Sequence, residues 1–477
     1  MRRWLGPRRR RTALAVALGM WAMFAGCAGG GAARVLPPNA VQPAGASFEG
    51  EPAIGTAQKI KIAEDIIADT VRQTLRAPVR SILGLVGRFA ERLAVRAVEL
   101  APNPVSSFEA IDRSGSLGGP YGGPIRPAKL TLLPSSEAAI DGLLGLVSSA
   151  RSSIDMMMYG WQDDPTGRAV ARAIAARAQA GIRVRLLVDK VSNVIHNPAV
   201  AKGKPTFLDE LARVPNVTLV FAPDPCVRFD HRKLAVIDDR VAWSGSMILT
   251  DVARHRWRNY SYIAEGPVVA DLAAIFAGRW ADVGQPSTPP RRDAKSLALA
   301  DPPNACVRTI ETNVGGERSL RESIYHVVDH ATDHIYLSNP CFTDEILVAK
   351  LVAARKRGVD VRAVLTLRGN VERLNHISAL NANRLLRGGC RVYLYPAMTH
   401  VKAMSADGTW AYLGTANFDE LSLRNNREVG LAITGDDLVR QFDATLFLAD
   451  MAASEELHAL LPPQKHRLAI EFLALWY

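Results

Sequence analysis

The chain has 477 residues, a hydrophobic fraction of 48% and a formal net charge of +11 at pH 7. That length corresponds to roughly three domain-sized units, and the apolar fraction is typical of a globular protein with a real core and not of a chain too polar to fold. The positive charge indicates an anionic partner, either nucleic acid or acidic lipid. Because six arginines precede Thr12, part of that charge is local and does not choose between the two partners.

The first 27 residues predict an export signal. A basic head is followed by an apolar stretch from about Thr12 to Ala25 and by small residues, and this stretch is short for a membrane span. Phe24-Ala25-Gly26-Cys27 resembles the bacterial lipobox, in which the cysteine is lipidated and becomes the new N-terminus. The alternatives are an uncleaved anchor helix and an ordinary signal with a chance cysteine. We expect a periplasmic or cell-envelope protein, with Cys27 as the candidate lipid anchor.

Residues 28–125 predict a tether and a helical N-terminal region. Gly29 to about Gly55 is rich in Gly, Ala and Pro, and a helical pattern with a break at Pro78 runs from Thr56 to Leu100. The pattern favours a helical cap packed on the main body over a helix lying on a membrane surface. A Gly/Pro/Ser linker follows.

Beyond the linker the chain repeats itself. "SSIDMMMYGW" and "TGRAVARAIAARAQAGIRVRLLVDK" predict strand, helix, glycine stop and strand, and "DHIYLSNPCF" with "DEILVAKLVAARKRGVDVRAVLTL" has the same order. Each copy is a βαβ unit, which predicts an α/β fold with a parallel or mixed sheet covered by helices. We expect one half at 126–285, a second at 300–460, and an apolar tail at 461–477 that docks as a terminal helix or strand or touches lipid.

A motif of histidine, lysine and aspartate occurs once in each half with identical spacing, H-x-K-x4-D. Its residues are His231, Lys233 and Asp238 in the first half and His400, Lys402 and Asp407 in the second. Six residues separate each aspartate from a glycine–hydroxyl pair, Gly245-Ser246 and then Gly414-Thr415. One such histidine alone is more often a surface or capped residue, but the paired pattern predicts a site.

The chemistry of these residues suits a phosphodiester. Residues two apart on a strand face the same side, so packing of the halves about a pseudo-two-fold axis would bring two imidazoles and two ammonium groups into one cleft. One histidine can attack phosphorus while the other protonates the leaving alkoxide, and Ser246, Thr415 and Asn417 can add hydrogen bonds. The lysines supply the positive charge that a metal gives other phosphoryl-transfer enzymes, so we expect no metal and no cofactor.

The duplicated motif resembles the phospholipase D superfamily, and "GTANFDELSLRNNREVGLAI" is similar to the bacterial cardiolipin synthase branch. The resemblance implies two phospholipase D-like α/β domains on one chain and a covalent phosphohistidine intermediate without a metal. It also implies roles for the motif residues. His231 would be the nucleophile and His400 the general acid, Lys233 and Lys402 would hold the phosphate, and Asp238 and Asp407 would be structural supports.

The two halves differ in their auxiliary residues. The second half has Asn417 where the first has Ile248, and it has Glu428 where the first has Asn259. Glu428 matches the family carboxylate that accepts a hydrogen bond from a catalytic imidazole. The first half has therefore lost two auxiliary groups but keeps all three motif residues. This leaves open which histidine is the better nucleophile.

Four functions remain open. The first is a phosphatidyltransferase of the cardiolipin synthase type, acting on phospholipids at a membrane surface as a monomer, with no nucleic acid as partner. The second is a phospholipase D hydrolase that releases phosphatidic acid, since acceptor choice depends on loops and not on the motifs. An exported nuclease is a third, although its known relatives carry one motif and dimerise. The fourth is a non-catalytic lipoprotein that binds anionic lipid through a decayed site.

Overall fold

The computed structural model describes residues 121–462, apart from short stretches at 198–199, 201–203, 223, 225–227, 287–293, 295–296, 314–317 and 370–371. The predicted export signal, the tether, the helical N-terminal region and all but two residues of the apolar tail lie outside the described residues. Among the helices that are described, none is both long and apolar enough to cross a bilayer.

The strands of the described part are numbered in chain order. They are β1 (Arg126–Leu133), β2 (Ser153–Met158), β3 (Arg183–Asp189), β4 (Val217–Ala222), β5 (Lys233–Ile237), β6 (Val241–Gly245), β7 (Trp257–Arg258), β8 (Ser261–Glu265), β9 (Ala305–Thr312), β10 (His334–Asn339), β11 (Asp360–Leu365), β12 (Arg391–Leu394), β13 (Met398–Thr399), β14 (Ala403–Ala406), β15 (Trp410–Gly414), β16 (Glu428–Thr434) and β17 (Glu455–Glu456).

The helices are numbered in the same way. They are α1 (Ser136–Ser149), α2 (Pro165–Gln179), α3 (Lys190–His196), α4 (Phe207–Ala212), α5 (Asp251–Arg256), α6 (Val268–Asp282), α7 (Ser319–His330), α8 (Glu345–Lys356), α9 (Glu372–Arg387), α10 (Glu420–Arg424), α11 (Asp436–Phe442) and α12 (Ala449–Ala452), with a π-helical segment at Asp443–Leu448 between the last two. We call β1 to α6 the first half and β9 to β17 the second half.

In the part of the chain that the structure describes, the main sheet has 15 strands, and its order shows the duplication. The order is β17-β12-β11-β10-β14-β15-β16-β9-β1-β8-β6-β5-β2-β3-β4. At its centre β1 pairs antiparallel with β9, with Arg126 opposite Val307. Outward from this pair, β8, β6, β5, β2, β3 and β4 of the first half correspond to β16, β15, β14, β10, β11 and β12 of the second. The predicted α/β fold and its pseudo-two-fold duplication are confirmed.

The two predicted βαβ units form as expected. Strands β2 and β3 are parallel neighbours joined by α2, and β10 and β11 are parallel neighbours joined by α8. Asp164 caps the start of α2, and Asp344 caps α8 by accepting a hydrogen bond from the backbone of the third residue along. The predicted glycine stops, Gly181 and Gly358, have φ values of 91° and 105°, a conformation that glycine adopts without steric cost.

Among the described residues, buried apolar side chains form three clusters, one of which joins the halves. One lies under the helices of the first half and includes Leu143 and Val184, and one lies under those of the second half and includes Leu337. The third contains Tyr262 of the first half and Leu431 of the second, and so belongs to both. Because the halves share this core, the cleft between their motifs has a packed floor.

Candidate active site

The two H-x-K segments lie where the halves meet. Lys233 begins β5, and Lys402 directly precedes β14. Each histidine therefore comes just before its strand, whereas the sequence had suggested a position within the strand. The reason is that its backbone bonds to the opposite half. The His231 amide donates to the Arg427 carbonyl at 3.0 Å, and the His400 amide donates to the Arg258 carbonyl at 2.7 Å. The structure thus brings both motifs together.

A carboxylate from the second half orients His231. The ring nitrogen Nδ1 of His231 lies 2.8 Å from Oε1 and 3.1 Å from Oε2 of Glu428. Thr415 Oγ1 donates to the same carboxylate at 2.6 Å, and the Tyr159 ring packs edge-on against the imidazole with centroids 4.5 Å apart. Since a carboxylate only accepts, Nδ1 carries the proton, and Nε2 is the nitrogen with a free lone pair.

An amide from the first half orients His400 in the corresponding way. The Nδ1 of His400 lies 3.0 Å from Oδ1 of Asn259, to which Ser246 Oγ also donates at 2.9 Å. The Asn259 Nδ2 donates to Ser136 Oγ and to the Ala253 carbonyl, both at 3.1 Å, which fixes the amide with its oxygen towards the histidine. Each imidazole is therefore oriented by a side chain of the other half.

The two lysines are fully buried beneath the histidines. Lys233 Nζ donates to the carbonyl of His231 at 2.5 Å, and Lys402 Nζ donates to the carbonyl of His400 at 2.7 Å. Burial lowers the pKa of Lys233 to about 7. Burial and the nearby charge of Lys233 lower the pKa of Lys402 well below its usual value. A bound phosphate anion would favour the charged form of both lysines.

Burial also shifts the other ionisable groups of the site. It lowers the pKa values of His231 and His400 well below the usual value, and the charges of Lys233 and Lys402 lower them further. Burial raises the pKa of Glu428 to about 7. Both imidazoles are consequently neutral at neutral pH in the free protein, which is the state that a nucleophile requires.

The motif aspartates lie at the far ends of their strands, away from the histidines. Asp238 and Asp407 have φ values of 57° and 55° in the turns that follow β5 and β14. The Asp238 carboxylate accepts hydrogen bonds from the backbone amides of Arg151 and Ser153 at 2.8 and 2.9 Å. Asp407 does the same at the start of β10, accepting from His334 N at 3.0 Å. Both aspartates tie a turn to the start of the neighbouring strand.

The predicted hydrogen-bonding residues Ser246 and Thr415 face the orienting residues. The Ser246 hydroxyl accepts from the Tyr260 amide and the Thr415 hydroxyl from the Val429 amide, both at 3.0 Å, so these hydroxyls hold Asn259 and Glu428 in place. Asn417 is half-buried, and its buried Oδ1 has no hydrogen-bond partner among the described residues.

The motif spacing gave no sign of two aromatic residues that touch the histidines. Tyr159 directly follows β2, and the Trp257 ring packs at a tilt against His400 with ring centroids 5.0 Å apart. The only sequence signal for Tyr159 was its place at the carboxyl end of a buried strand, where the sites of α/β proteins form. Within the described residues, no group of three or more His, Cys, Asp or Glu side chains could hold a metal ion.

A duplicated α/β fold whose halves each contribute an H-x-K motif to one cleft defines a phospholipase D-like protein. Residues 143–280 and 324–447 match the family described as "Cardiolipin synthase, PLD-like domain". Because these segments make up more than half of the chain, the chain belongs to this family. It is thus a cardiolipin synthase-like enzyme of the phospholipase D superfamily, and the predicted resemblance is confirmed.

Individual proteins agree with this assignment. Cardiolipin synthase A of Klebsiella pneumoniae (strain MGH 78578) is 26% identical over 376 residues, which cover 76% of this chain and 74% of that protein. Cardiolipin synthase A of Edwardsiella ictaluri is 28% identical over 345 residues, covering 69% of each chain. The crystal structure of phosphatidylserine synthase from Haemophilus influenzae superposes with a TM-score of 0.60 and 16% identity over 76% of this chain and 96% of that one, which supports the fold.

Proposed function

We propose that this enzyme transfers a phosphatidyl group from one phospholipid to the hydroxyl of a second, such as phosphatidylglycerol, to give cardiolipin. The observation that carries the proposal is the pair of imidazoles, each held through Nδ1 by the opposite half (2.8 Å for His231 and 3.0 Å for His400) above two buried lysines. This arrangement leaves an Nε2 atom on each histidine for in-line chemistry at one phosphorus.

In the first step, Nε2 of His231 attacks phosphorus and a P–N bond forms. The P–O bond to the leaving alcohol breaks, and His400, which takes up a proton as the anionic phosphate binds beside it, donates that proton to the alkoxide. In the second step His400 takes the proton from the acceptor hydroxyl, the acceptor oxygen attacks phosphorus, and the P–N bond breaks. Lys233 and Lys402 stabilise the negative charge on the non-bridging oxygens in both transition states.

The difference between the two orienting residues supports His231 as the nucleophile. A carboxylate on Nδ1 makes an imidazole more basic and stabilises the positive charge that develops once Nε2 bonds to phosphorus. Glu428 gives this support to His231 at 2.8 Å. Asn259 gives His400 only a neutral carbonyl, and an imidazolium held in this way releases its proton more readily, which suits a general acid.

We further propose that the enzyme acts as a monomer at a membrane surface outside the cytoplasm. One chain supplies both motifs, so a second subunit is not needed to complete the site. The basic head, the apolar stretch and Cys27 of the N-terminal segment favour export and lipid anchoring. The positive net charge is compatible with an anionic bilayer.

Product analysis tests the proposal. The purified full-length protein is incubated with phosphatidylglycerol vesicles, and the lipids are identified by mass spectrometry, with His231→Ala as the inactive control. We expect cardiolipin and free glycerol, with phosphatidic acid as a minor product. Phosphatidic acid as the main product at all acceptor concentrations would mean that the enzyme is a hydrolase. Degradation of DNA without lipid turnover would mean a nuclease, and no turnover at all would favour the non-catalytic lipoprotein.

A further inference from the structure

The first half lacks a hydrogen-bond donor that the second half has. Asn417 and Ile248 occupy equivalent positions, each three residues after the glycine that ends β15 or β6. Ile248 is buried, with 3% of its surface exposed, and its side chain has no polar atom. A phosphate oxygen on the first-half side of the cleft therefore receives no hydrogen bond from this position.

A third imidazole stands beside this apolar position. His196 is the last residue of α3. A Cβ atom added to Gly160 would lie 3.2 Å from Nε2 of His196 and 3.1 Å from Cβ of Ile248. The imidazole and the isoleucine thus border the same small space, and the ring presents Nε2 to it.

Gly160 is what leaves room for this imidazole. Met158 of β2 lies opposite Lys233. In the second half Ser338 lies opposite Ala403, so the next residue, Asn339, lies opposite Lys402. Met158 and Asn339 are therefore equivalent positions. Two residues further on, Gly160 therefore corresponds to Cys341. The second half has the side chain of Cys341 and the amide of Asn417 at the two positions where the first half has Gly160 and Ile248. In the first half the imidazole of His196 lies beside these two residues.

His196 is linked to the catalytic cleft by an aromatic contact that it shares with His231 and by the charge of Lys233. The Tyr159 ring packs edge-on against both His231 and His196, with centroid distances of 4.5 and 6.4 Å. Burial and the charge of Lys233 lower the pKa of His196 to about 4, so the ring is neutral at neutral pH and carries one N–H. Among the described residues, neither of its ring nitrogens has a hydrogen-bond partner.

The helix that carries His196 is fixed to the motif loop. The carboxylate of Asp189 accepts hydrogen bonds from the Ser192 amide at 2.7 Å, which caps α3, and from the Asp230 amide at 3.0 Å, directly before His231. The position of the imidazole is consequently coupled to that of the motif histidine, as a substrate-binding group must be.

We propose that His196 replaces the missing amide of the first half and donates a hydrogen bond from Nε2 to a non-bridging phosphate oxygen of the bound phospholipid. This inference rests on the proposed phosphatidyl transfer. His196 is then a third histidine that contacts the substrate. Ile248, Gly160 and His196 together distinguish the first half from the second.

A double-mutant experiment tests this role. His196→Ala should lower kcat/KM for phosphatidylglycerol by on the order of tenfold to hundredfold, the usual effect of losing one hydrogen bond to a charged group. Adding Ile248→Asn to that variant should recover most of the loss, because it restores the amide of the second half in the space that the imidazole vacates. His458→Ala, an exposed histidine beyond β17, should have the wild-type rate.

Two outcomes would overturn the inference while the wild-type enzyme turns over lipid. One is an unchanged rate in His196→Ala. The other is a reduced rate in His196→Ala that the added Ile248→Asn does not restore, although the double variant and His196→Ala unfold at the same temperature. That result would mean that the imidazole only packs on Tyr159. An inactive wild-type enzyme would instead contradict the proposed function.

Binding of inorganic phosphate gives an independent readout. In histidine-¹⁵N-labelled protein, the Nε2 resonance that is absent from His196→Ala should shift as phosphate is added to the wild type. The resonance of His458 should not shift. An unshifted His196 resonance at phosphate concentrations that shift His231 would contradict direct contact with the anion.

Discussion

The two halves of the molecule share one fold and one motif but support their histidines differently. His231 is held by a buried carboxylate, Glu428, and His400 is held by a buried amide, Asn259, and in both cases the support comes from the opposite half. A hydroxyl locks each supporting group, Thr415 at 2.6 Å and Ser246 at 2.9 Å. The duplication has thus kept the geometry of the site while its electrostatics have diverged.

This difference matches the two chemical tasks of the proposed reaction. A nucleophile and a general acid require imidazoles of different basicity, and two identical half-sites would not distinguish them. Because each support crosses between the halves, a change in one half alters the histidine of the other. The comparison can therefore be tested by paired substitutions at equivalent positions.

The histidine pair should give the largest effect. His231→Ala and His400→Ala should each lower kcat for natural phospholipid by on the order of 10⁴-fold, because groups that act as a unit fail together. The double variant should be hardly worse than either single one. Rates are measured by cardiolipin formation in mixed micelles. Additive losses in the double variant would contradict a shared site.

The lysine pair should come next. Lys233→Ala and Lys402→Ala should each lower turnover by at least the hundredfold that is typical of losing one transition-state donor. Their equal placement beneath the two histidines predicts losses of similar size. Lys129→Ala, an exposed lysine of β1 paired with Asp301, serves as the control. A wild-type rate in either buried-lysine variant would show that the cleft is not the active site.

The supporting residues should change the pH profile of kcat/KM. Burial places the pKa values of Glu428 and Lys233 at about 7, so the profile should fall below pH 7 as the carboxylate gains a proton and above pH 7 as the ammonium loses one. Glu428→Gln should lower the rate about tenfold and abolish the acidic limb.

The matched change in the other half is Asn259→Asp. A carboxylate beside His400 raises the pKa of that imidazole, so the general acid keeps its proton to higher pH. We expect an altered rate at neutral pH and a different basic limb, both measured between pH 5 and 9. Identical profiles for the wild type, Glu428→Gln and Asn259→Asp would contradict the roles of the supporting residues.

Sequence reasoning predicted the duplication and the βαβ units because these follow from local periodicity and spacing. It predicted the convergence of the motifs on the condition that the halves pack about a pseudo-two-fold axis. It could not predict which support serves which histidine. Glu428 is 197 residues from His231, and Asn259 is 141 residues from His400, so the pairing depends on how the halves pack. The placement of His196 against Gly160 was also missed, because it depends on how α3 packs against the residues that follow β2.

The motif aspartates should give the smallest effect on catalysis. Asp238→Ala and Asp407→Ala remove carboxylates that each accept several backbone hydrogen bonds, which should lower the free energy of unfolding by roughly 2–4 kcal/mol. The kcat per folded molecule should change by less than about threefold, since neither aspartate contacts the cleft. Unfolding is followed by denaturant titration. A large loss of kcat with unchanged stability would contradict a purely supporting role.

Trapping of the covalent intermediate tests the unequal roles of the two halves most directly. The substrate is a phosphatidyl-p-nitrophenol, because its leaving group departs without a proton from His400. In His400→Ala the first step then proceeds, while the second lacks its base, so mass spectrometry of the digested protein should find a phosphatidyl adduct on His231. The reciprocal His231→Ala variant should yield no adduct. An adduct on His400 in that variant, with none on His231 in the other, would contradict the account.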